Sequence, residues 1–477
     1  MKLVKRLLKV VVALIGLLIL TILIIIGVDA QSTSYLKVKK NPSASKDSYL
    51  ITHVNVIPMD RDTVLTNKMV YVKDGIIEAI ADDLAIDNVE ILDAQNKYLM
   101  PGLIDMHVHV WDRYELGLYL SNGVTAVRNV WGMPMHLRMK EDINNDKIIS
   151  PMFFTTGPKL TGPEFIGDDN LNLVDPEEAK NKVVIYKDRG YDFIKTYYGL
   201  TPELFNAVLE QARESDVDIV AHPSQKVPYS YHFDPQIKSI EHTEEFVQQP
   251  LEYALDTVKL QGVVKLYKYA ENSRHCPTLV VFNNIYQMMM DDQILESESL
   301  GYMNPLIQKV DSKAQFDRWH NAKLEDATVV DRIKNQHEFH LYIIKKLHEA
   351  GATLICGTDA GIGVTLPGFS IHQELAFYHE AGLSNYEVLK TATLNAAETH
   401  KIMGNMGSVE EGKMANLLLL DANPLENLPA LQNPTMVFVK GRKLDRETLD
   451  VFEGKAKNRK NLVASGLRYA ENLMVEK

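Results

Sequence analysis

Seven side chains able to bind a metal ion stand at or near the ends of short apolar runs that read as strands. They are His107 and His109 in GLIDMHVH, Lys195 in YDFIKTYY, His222 in VDIVAH, His242 in KSIEH, and Asp359 in LICGTDAG with Cys356 close by. Eight such runs occur, at 102–109, 124–130, 152–157, 193–198, 218–222, 239–242, 275–281 and 353–359, with helical periodicity between them, as in PELFNAVLEQARE. Strands alternating with helices pair in parallel, and eight such units close on themselves with their working groups at the C-terminal strand ends. The chain is therefore predicted to be an α/β protein on a (β/α)8 TIM-like barrel. The candidate ligands fall where that barrel carries its chemistry.

The segments PGLIDMHVH, FIK, the two single histidines, GTDAG and the late GSVEEGKMANLLLLDANPL follow one another between residues 48 and 445. In this order they resemble the metal-dependent amidohydrolase superfamily, in its imidazolonepropionase-like branch with Xaa-Pro dipeptidases and N-acyl-amino-acid hydrolases. The resemblance implies a small β-sandwich assembled from both chain ends beside the barrel. It also implies a modified lysine at the FIK position, as in the binuclear members; imidazolonepropionase itself lacks that bridge and uses one metal. Three positions depart from the pattern: Pro223-Ser224 after His222, Asn129 where relatives often carry an acid, and Asn416 in place of an aspartate.

Side chains two apart on a strand share a face, so His107 and His109 both project into the barrel mouth. Imidazole and carboxylate donors suit Zn²⁺, and also Mn²⁺ or Fe²⁺. A lysine beside a metal would be repelled as a cation. Lys195, however, follows Phe193 and Ile194, an apolar setting that favours the neutral amine needed to capture CO₂. The resulting carbamate can bridge two metals about 3.5–4 Å apart. His222 and His242, each alone more often a hydrogen-bonded core histidine, complete the second metal in the order the resemblance implies. Asp359 would by itself serve as a helix N-cap. With Gly357 and Gly361 allowing close backbone approach, it is assigned as a ligand of the first metal and as the catalytic proton acceptor. Arg128, Tyr197, Tyr198 and His275 also lie near strand ends and are candidate substrate-binding residues, with packing or surface ion pairs as the plain alternative.

Lys2, Lys5, Arg6 and Lys9 precede an unbroken apolar run from Val10 to Val28, long enough to span a bilayer and basic on one side only. Val28-Asp29-Ala30 could also be a cleavage site, leaving a secreted or periplasmic product. Either reading exports the catalytic part; a retained single-pass anchor in the cell membrane is preferred. The 477 residues carry a net charge of −12, and since the N-terminal segment is itself +3, the remainder is about −15. Such a surface disfavours nucleic acid. The two cysteines, Cys276 and Cys356, give no disulfide framework and no redox compartment.

The predicted organisation is an anchor or signal segment at 1–30 and a linker at 31–47, then the first half of the sandwich at 48–99. The barrel follows at 100–405, the second half of the sandwich at 406–450 and a C-terminal helix at 451–477. Lys73-Asp74-Gly75 is placed for a tight hairpin. The Met-rich stretch 283–336 reads either as a helical lid or as helices packed outside the barrel. The functional expectation is a hydrolase with two divalent metals, cleaving the amide bond of a dipeptide or N-acyl amino acid through a metal-bridging hydroxide. A cyclic amidase of imidazolonepropionase type and a catalytically silent, membrane-tethered binding protein are the alternatives. The oligomeric state stays open, a homo-oligomer included.

Overall fold

A computed structural model describes residues 2–41, 48–163, 170–270 and 273–476. Its architecture is α/β and of the TIM-barrel type. Leu103–Val108, Val124–Asn129 and Met152–Thr155 form one parallel run of strands. Ile194–Thr196, Ile219–Ala221, Ile237–Glu241, Arg274–Cys276 and Thr353–Leu354 form another, flanked by the extra strands Lys159–Thr161 and Asn170–Asn172. Each of the eight predicted runs holds a parallel strand of two to six residues, but the run 275–281 turns helical from Leu279 and 353–359 is strand only at Thr353–Leu354. The two runs meet through single parallel bridges, Thr156 with Phe193 and Val108 with Ala360. Backbone bonds from Met106 to Cys356 (2.9 Å) and from Asp359 to His107 (2.7 Å) reinforce the second junction. It requires close backbone contact at Gly357, where a Cβ would collide with Cys276 Sγ and His107 Cβ.

The sandwich predicted from both chain ends takes the form of one mixed eight-stranded sheet. Leu417–Leu420, late in the chain, pairs onto Tyr98–Pro101 from its early part and onto Met436–Val439 on its other side, around Ile51, Val54, Leu99, Leu417 and Phe438. The hairpin at Asp74-Gly75 forms as its residues dictate, with φ of 51° and 84°.

Lys2–Ser32 is one helix, exposed along nearly all its length. Only a stripe at Ile22, Ile25, Ile26 and Asp29 is covered, the spacing of one helical face. That stripe lies against the C-terminal helix Leu462–Glu476, and Asp29 pairs with Arg468. Residues 31–41, read from composition as linker, are ordered against the enzyme. Leu36 is fully buried, Tyr35 packs on Phe452 with centroids 5.5 Å apart, and Ile149 N–H donates to the Leu36 carbonyl at 2.7 Å. Burying one leucine gains about 1.5–3 kcal/mol, enough to override a polar neighbourhood. The rest of that predicted linker, 42–47, lies outside the described residues.

The stretch 283–336 is largely helical, with Lys313–Glu325 and the start of Thr328–Glu349 packing on Leu279–Met290. It also reaches the mouth, since Gly363 N–H donates to Asp311 Oδ2 at 2.6 Å in the loop after Asp359. Met288 and Met289 are buried, whereas Met290 is exposed.

One buried cluster ties the C-terminal segment to the barrel. Arg459 donates through Nε to Asp112 Oδ2 at 2.7 Å and through Nη2 to Glu115 Oε1 at 2.6 Å, and all three side chains are fully buried. Asn304 and Asn461 also donate to Asp112, at 2.6 and 2.8 Å. Asp112 stays low despite burial because of Arg459 and Asn461, whereas burial and the neighbouring Asp112 push Glu115 up to about 8. Arg459→Met would strand Asp112 without its cation, so a loss of about 3–5 kcal/mol in the denaturant-unfolding free energy is expected. A change under about 1 kcal/mol would show that the cluster does not hold the C-terminal segment in place.

Candidate metal centre

The strand ends bring the predicted ligands into one buried cluster. His109 Nε2 is 2.7 Å and His107 Nε2 3.4 Å from Asp359 Oδ1, and His242 Nδ1 is 3.9 Å from Asp359 Oδ2. The His107 and His242 rings are 4.7 Å apart between centroids, and those of His222 and His242 4.6 Å. Ligand atoms of His107, His242 and Asp359 lie within 4.8 Å of one another, a spacing that can hold one ion. His242 and Asp359 have φ of 70° and 60°, left-handed backbone that places both side chains at the turn leaving a strand.

Electrostatics suit the cluster to cations. Burial, with Lys195 nearby, lowers His107 to about 4; burial and the adjacent imidazoles of His222 and His107 hold His242 well below the usual range. Both are therefore neutral donors near pH 7. For Asp359, burial works against ionisation, but the adjacent His107, His109 and His242 outweigh it and hold the carboxyl below the usual range.

Lys195 is 1% exposed and its Nζ makes no hydrogen bond among the described residues. Burial lowers its pKa to about 8. Both ring nitrogens of His222 and Nδ1 of His109 also lack hydrogen bonds, although His222 Nε2 lies 3.2 Å from Glu245 Oε1. Buried polar atoms without partners are costly, and a cluster of them marks where a missing group belongs. The donor set therefore fits a bound metal.

Arg128 does not reach the mouth. It is fully buried and donates to the Met106 carbonyl (2.6 Å), Ser239 Oγ (2.9 Å) and Glu241 Oε1 (2.9 Å), with His400 Nε2 2.9 Å away. Its guanidinium is spent inside the barrel, so the substrate-binding assignment is corrected. His275 is likewise buried, with Thr243 Oγ1 2.8 Å from Nε2 and the Ile240 carbonyl 3.0 Å from Nδ1; both nitrogens are occupied, and this assignment is corrected too. Tyr197 and Tyr198 are half-buried and flank His222 with centroids 4.5 and 5.8 Å away, which keeps them beside the cluster. Cys356 is buried outside the ligand groups; Cys276, with His107 and Glu241, is the cysteine that falls in one.

Sequence reasoning missed Glu241. Its Oε2 lies 2.6 Å from His107 Nδ1, orienting the ring so that Nε2 faces Asp359. Arg128 and the His107 contact hold Glu241 well below the usual carboxylate range against the effect of burial. The available signal was an acid at the end of an apolar strand run, two residues from Ser239 on the same face. Asp105 acts similarly, accepting from Thr358 Oγ1 at 2.7 Å and Thr358 N–H at 3.1 Å. Asn129 and Asn416 take structural roles. Asn129 accepts from Val110 N–H and donates to the Trp131 carbonyl, both at 2.9 Å; Asn416 accepts from Lys440 N–H at 2.7 Å.

The sequence model of the Amidohydrolase family matches residues 194–444, more than half of the chain. The chain belongs to this family. Ochratoxinase of Aspergillus niger is 22% identical over 466 residues, spanning 83% of this amidohydrolase and 86% of the relative. Among solved structures, a bottromycin amidohydrolase superposes with a TM-score of 0.71 at 23% identity, covering 93% of this chain and 98% of the other. A Xaa-Pro dipeptidase with bound methionine in the active site gives 0.65 at 19% identity, covering 84% and 100%. These likenesses establish a shared fold. Family membership establishes a hydrolase of carbon–nitrogen bonds, in a family that is generally metal-dependent.

Proposed function

We propose that this amidohydrolase is a binuclear metallohydrolase cleaving the amide bond of a dipeptide or N-acyl amino acid. The observation that carries the proposal is Lys195: a buried amine with no hydrogen bond among the described residues, set near the neutral imidazoles of His107 and His242. At pH 8 an amine with a pKa of about 8 is about half neutral, whereas an exposed lysine is under ~1% neutral. The neutral amine adds to CO₂, forming an N–C bond and releasing one proton, and the carbamate replaces a cation by an anion. His107, His109 and Asp359 would hold one metal, His222 and His242 the other, and the Lys195 carbamate would serve both. Zn²⁺ fits these donors, as do Mn²⁺ and Fe²⁺. Bound divalent metal supplies a polarised amide carbonyl and an acidified water.

The chain's own groups supply the rest. Asp359, held ionised, accepts a proton at its carboxylate and passes it to the leaving amine. Glu241 fixes the His107 ring from behind. Trp131, with its centroid 6.3 Å from that of His109, and the tyrosines beside His222 wall the mouth against bulk water. The same reading takes the two parallel runs, joined at Thr156–Phe193 and Val108–Ala360, as one closed eight-stranded barrel. It also takes Leu3–Ser32, long and apolar enough to cross a membrane, as a retained anchor with the catalytic part outside the cytoplasm. Retention is supported by the covered stripe at Ile22, Ile25, Ile26 and Asp29, since cleavage after Ala30 would remove the partner of Arg468.

Three outcomes are expected. Lys195→Ala should abolish amide hydrolysis and lose the ¹³C carbamate signal seen after labelling with ¹³C-bicarbonate, with short carboxylic acids restoring part of the activity. A native enzyme with one metal and an unmodified lysine would sink the binuclear form. Asp359→Asn keeps an oxygen donor but loses the base, so turnover should fall by roughly 10²-fold or more while metal content by mass spectrometry changes less; near-native turnover would remove Asp359 from its role. Protease added to intact spheroplasts should degrade the catalytic part, and full protection would refute the topology.

A further inference from the structure

Three helices line an open groove of about 720 Å³. The N-terminal helix contributes Ile22, Ile26 and Ala30, and the helix Pro134–Asn144 contributes Met135 and Met139. The C-terminal helix Leu462–Glu476 contributes Leu467, Ala470 and Met474. Each set has the three-to-four-residue spacing of one helical face. The volume lies in the range of small-molecule pockets.

The groove has an apolar floor and a charge-balanced rim. Arg113 pairs with Asp142, Arg138 with Glu471 and Arg468 with Asp29, so each of these three guanidiniums already faces a carboxylate. Such a rim offers little attraction to a phosphate headgroup and suits an uncharged chain. One wall is the candidate membrane span, whose apolar face continues from Ile22 back to the exposed Leu3. A chain dissolved in the bilayer could slide along it without crossing water.

The C-terminal helix also reaches toward the catalytic cluster through two aromatic rings in series. Tyr469, between the groove residues Arg468 and Ala470, packs on Trp111 and Trp131 with centroids 6.4 and 6.2 Å away. Trp131 in turn packs on His109. An aliphatic tail in the groove is therefore separated from His109 by two rings in series, Tyr469 and Trp131.

We infer that the groove between the N-terminal, C-terminal and Pro134–Asn144 helices binds the aliphatic tail of a long-chain N-acyl amino acid drawn from the membrane. This rests on the amide-hydrolase reading above and narrows it to lipidic substrates. Remote binding of the tail would hold the amide at the strand ends, raising kcat/KM with chain length.

The test uses the full-length metal-loaded protein in detergent micelles. N-palmitoyl amino acids should be hydrolysed with kcat/KM at least tenfold above their N-acetyl counterparts. Ala470→Trp at the open rim and Ile26→Trp on the anchor should each lower the palmitoyl value about tenfold, the cost of losing roughly two buried methylenes. The acetyl value should stay within about twofold of wild type, which also reports an intact fold. Separately, a diazirine-bearing palmitic acid should label peptides from the Pro134–Asn144 and C-terminal helices, more strongly than a diazirine phosphatidylcholine and less in Ala470→Trp. Equal hydrolysis of short and long chains, or equal labelling by the phosphatidylcholine probe, overturns the groove and leaves amide hydrolysis standing. Specific palmitate labelling without hydrolysis of any amide supports a tail-binding groove and rejects the proposed reaction.

Discussion

The ion pair of Arg128 with Glu241 lies inside the barrel with neither side chain exposed, and the geometry of the site depends on it. Removing two charges from water costs several kcal/mol each, a cost offset only when every hydrogen-bonding position is filled. Here Arg128 meets a carbonyl, a hydroxyl, a carboxylate and an imidazole, while Glu241 meets Arg128, Ser239 and His107. Beyond His400, Asp218 Oδ2 continues the chain 2.7 Å from Nδ1. The pair joins the strands Val124–Asn129 and Ile237–Glu241 across the interior and presents His107 in one orientation. A looser contact would leave that imidazole free to rotate.

Burial decides the remaining chemistry. It keeps the imidazoles of His107 and His242 neutral and lowers the lysine amine, while the histidines around Asp359 hold its carboxyl below the usual range against the effect of burial. The left-handed backbone at His242 and Asp359 stores strain of about 1–3 kcal/mol at each residue, sustained by the packed turns around it. The close approach at Gly357 brings the eighth strand against His107. Neutral donors, a low-pKa amine and one fixed carboxylate thus share a single desolvated space.

The C-terminal helix couples this centre to the rest of the molecule. Through Arg468 it meets the N-terminal helix, and through Tyr469 it meets the tryptophans beside His109. The Arg459 cluster clamps the chain just ahead of it onto Asp112 and Glu115. The N-terminal helix and the tryptophans beside His109 therefore share one support, the C-terminal helix.

Much of this was legible in the residues. Alternating apolar runs and helical periods gave the eight parallel strands, and His107, His109, His222, His242 and Asp359 stood at their ends because strand ends are where such a fold exposes side chains. The ordering of Leu36 was not legible, since its partner Ile149 is far away in the chain, and the short extra strands Lys159–Thr161 and Asn170–Asn172, which pair with each other, carry too few residues to show a period. Arg128 and His275 looked like substrate contacts because a strand-end position does not say whether a side chain's partners already exist in the interior. Glu241 was overlooked for the same reason: its meaning lies in Arg128 and His107, each more than 100 positions away. The sequence by itself determined which side chains could ligate, on which strands, and that an apolar helix precedes them, because period and residue type are local properties. Only the tertiary structure decided which charges are spent within the core, which imidazole is clamped, and that the N-terminal helix packs on the C-terminal one, because burial and pairing are set by segments that meet only when the chain folds.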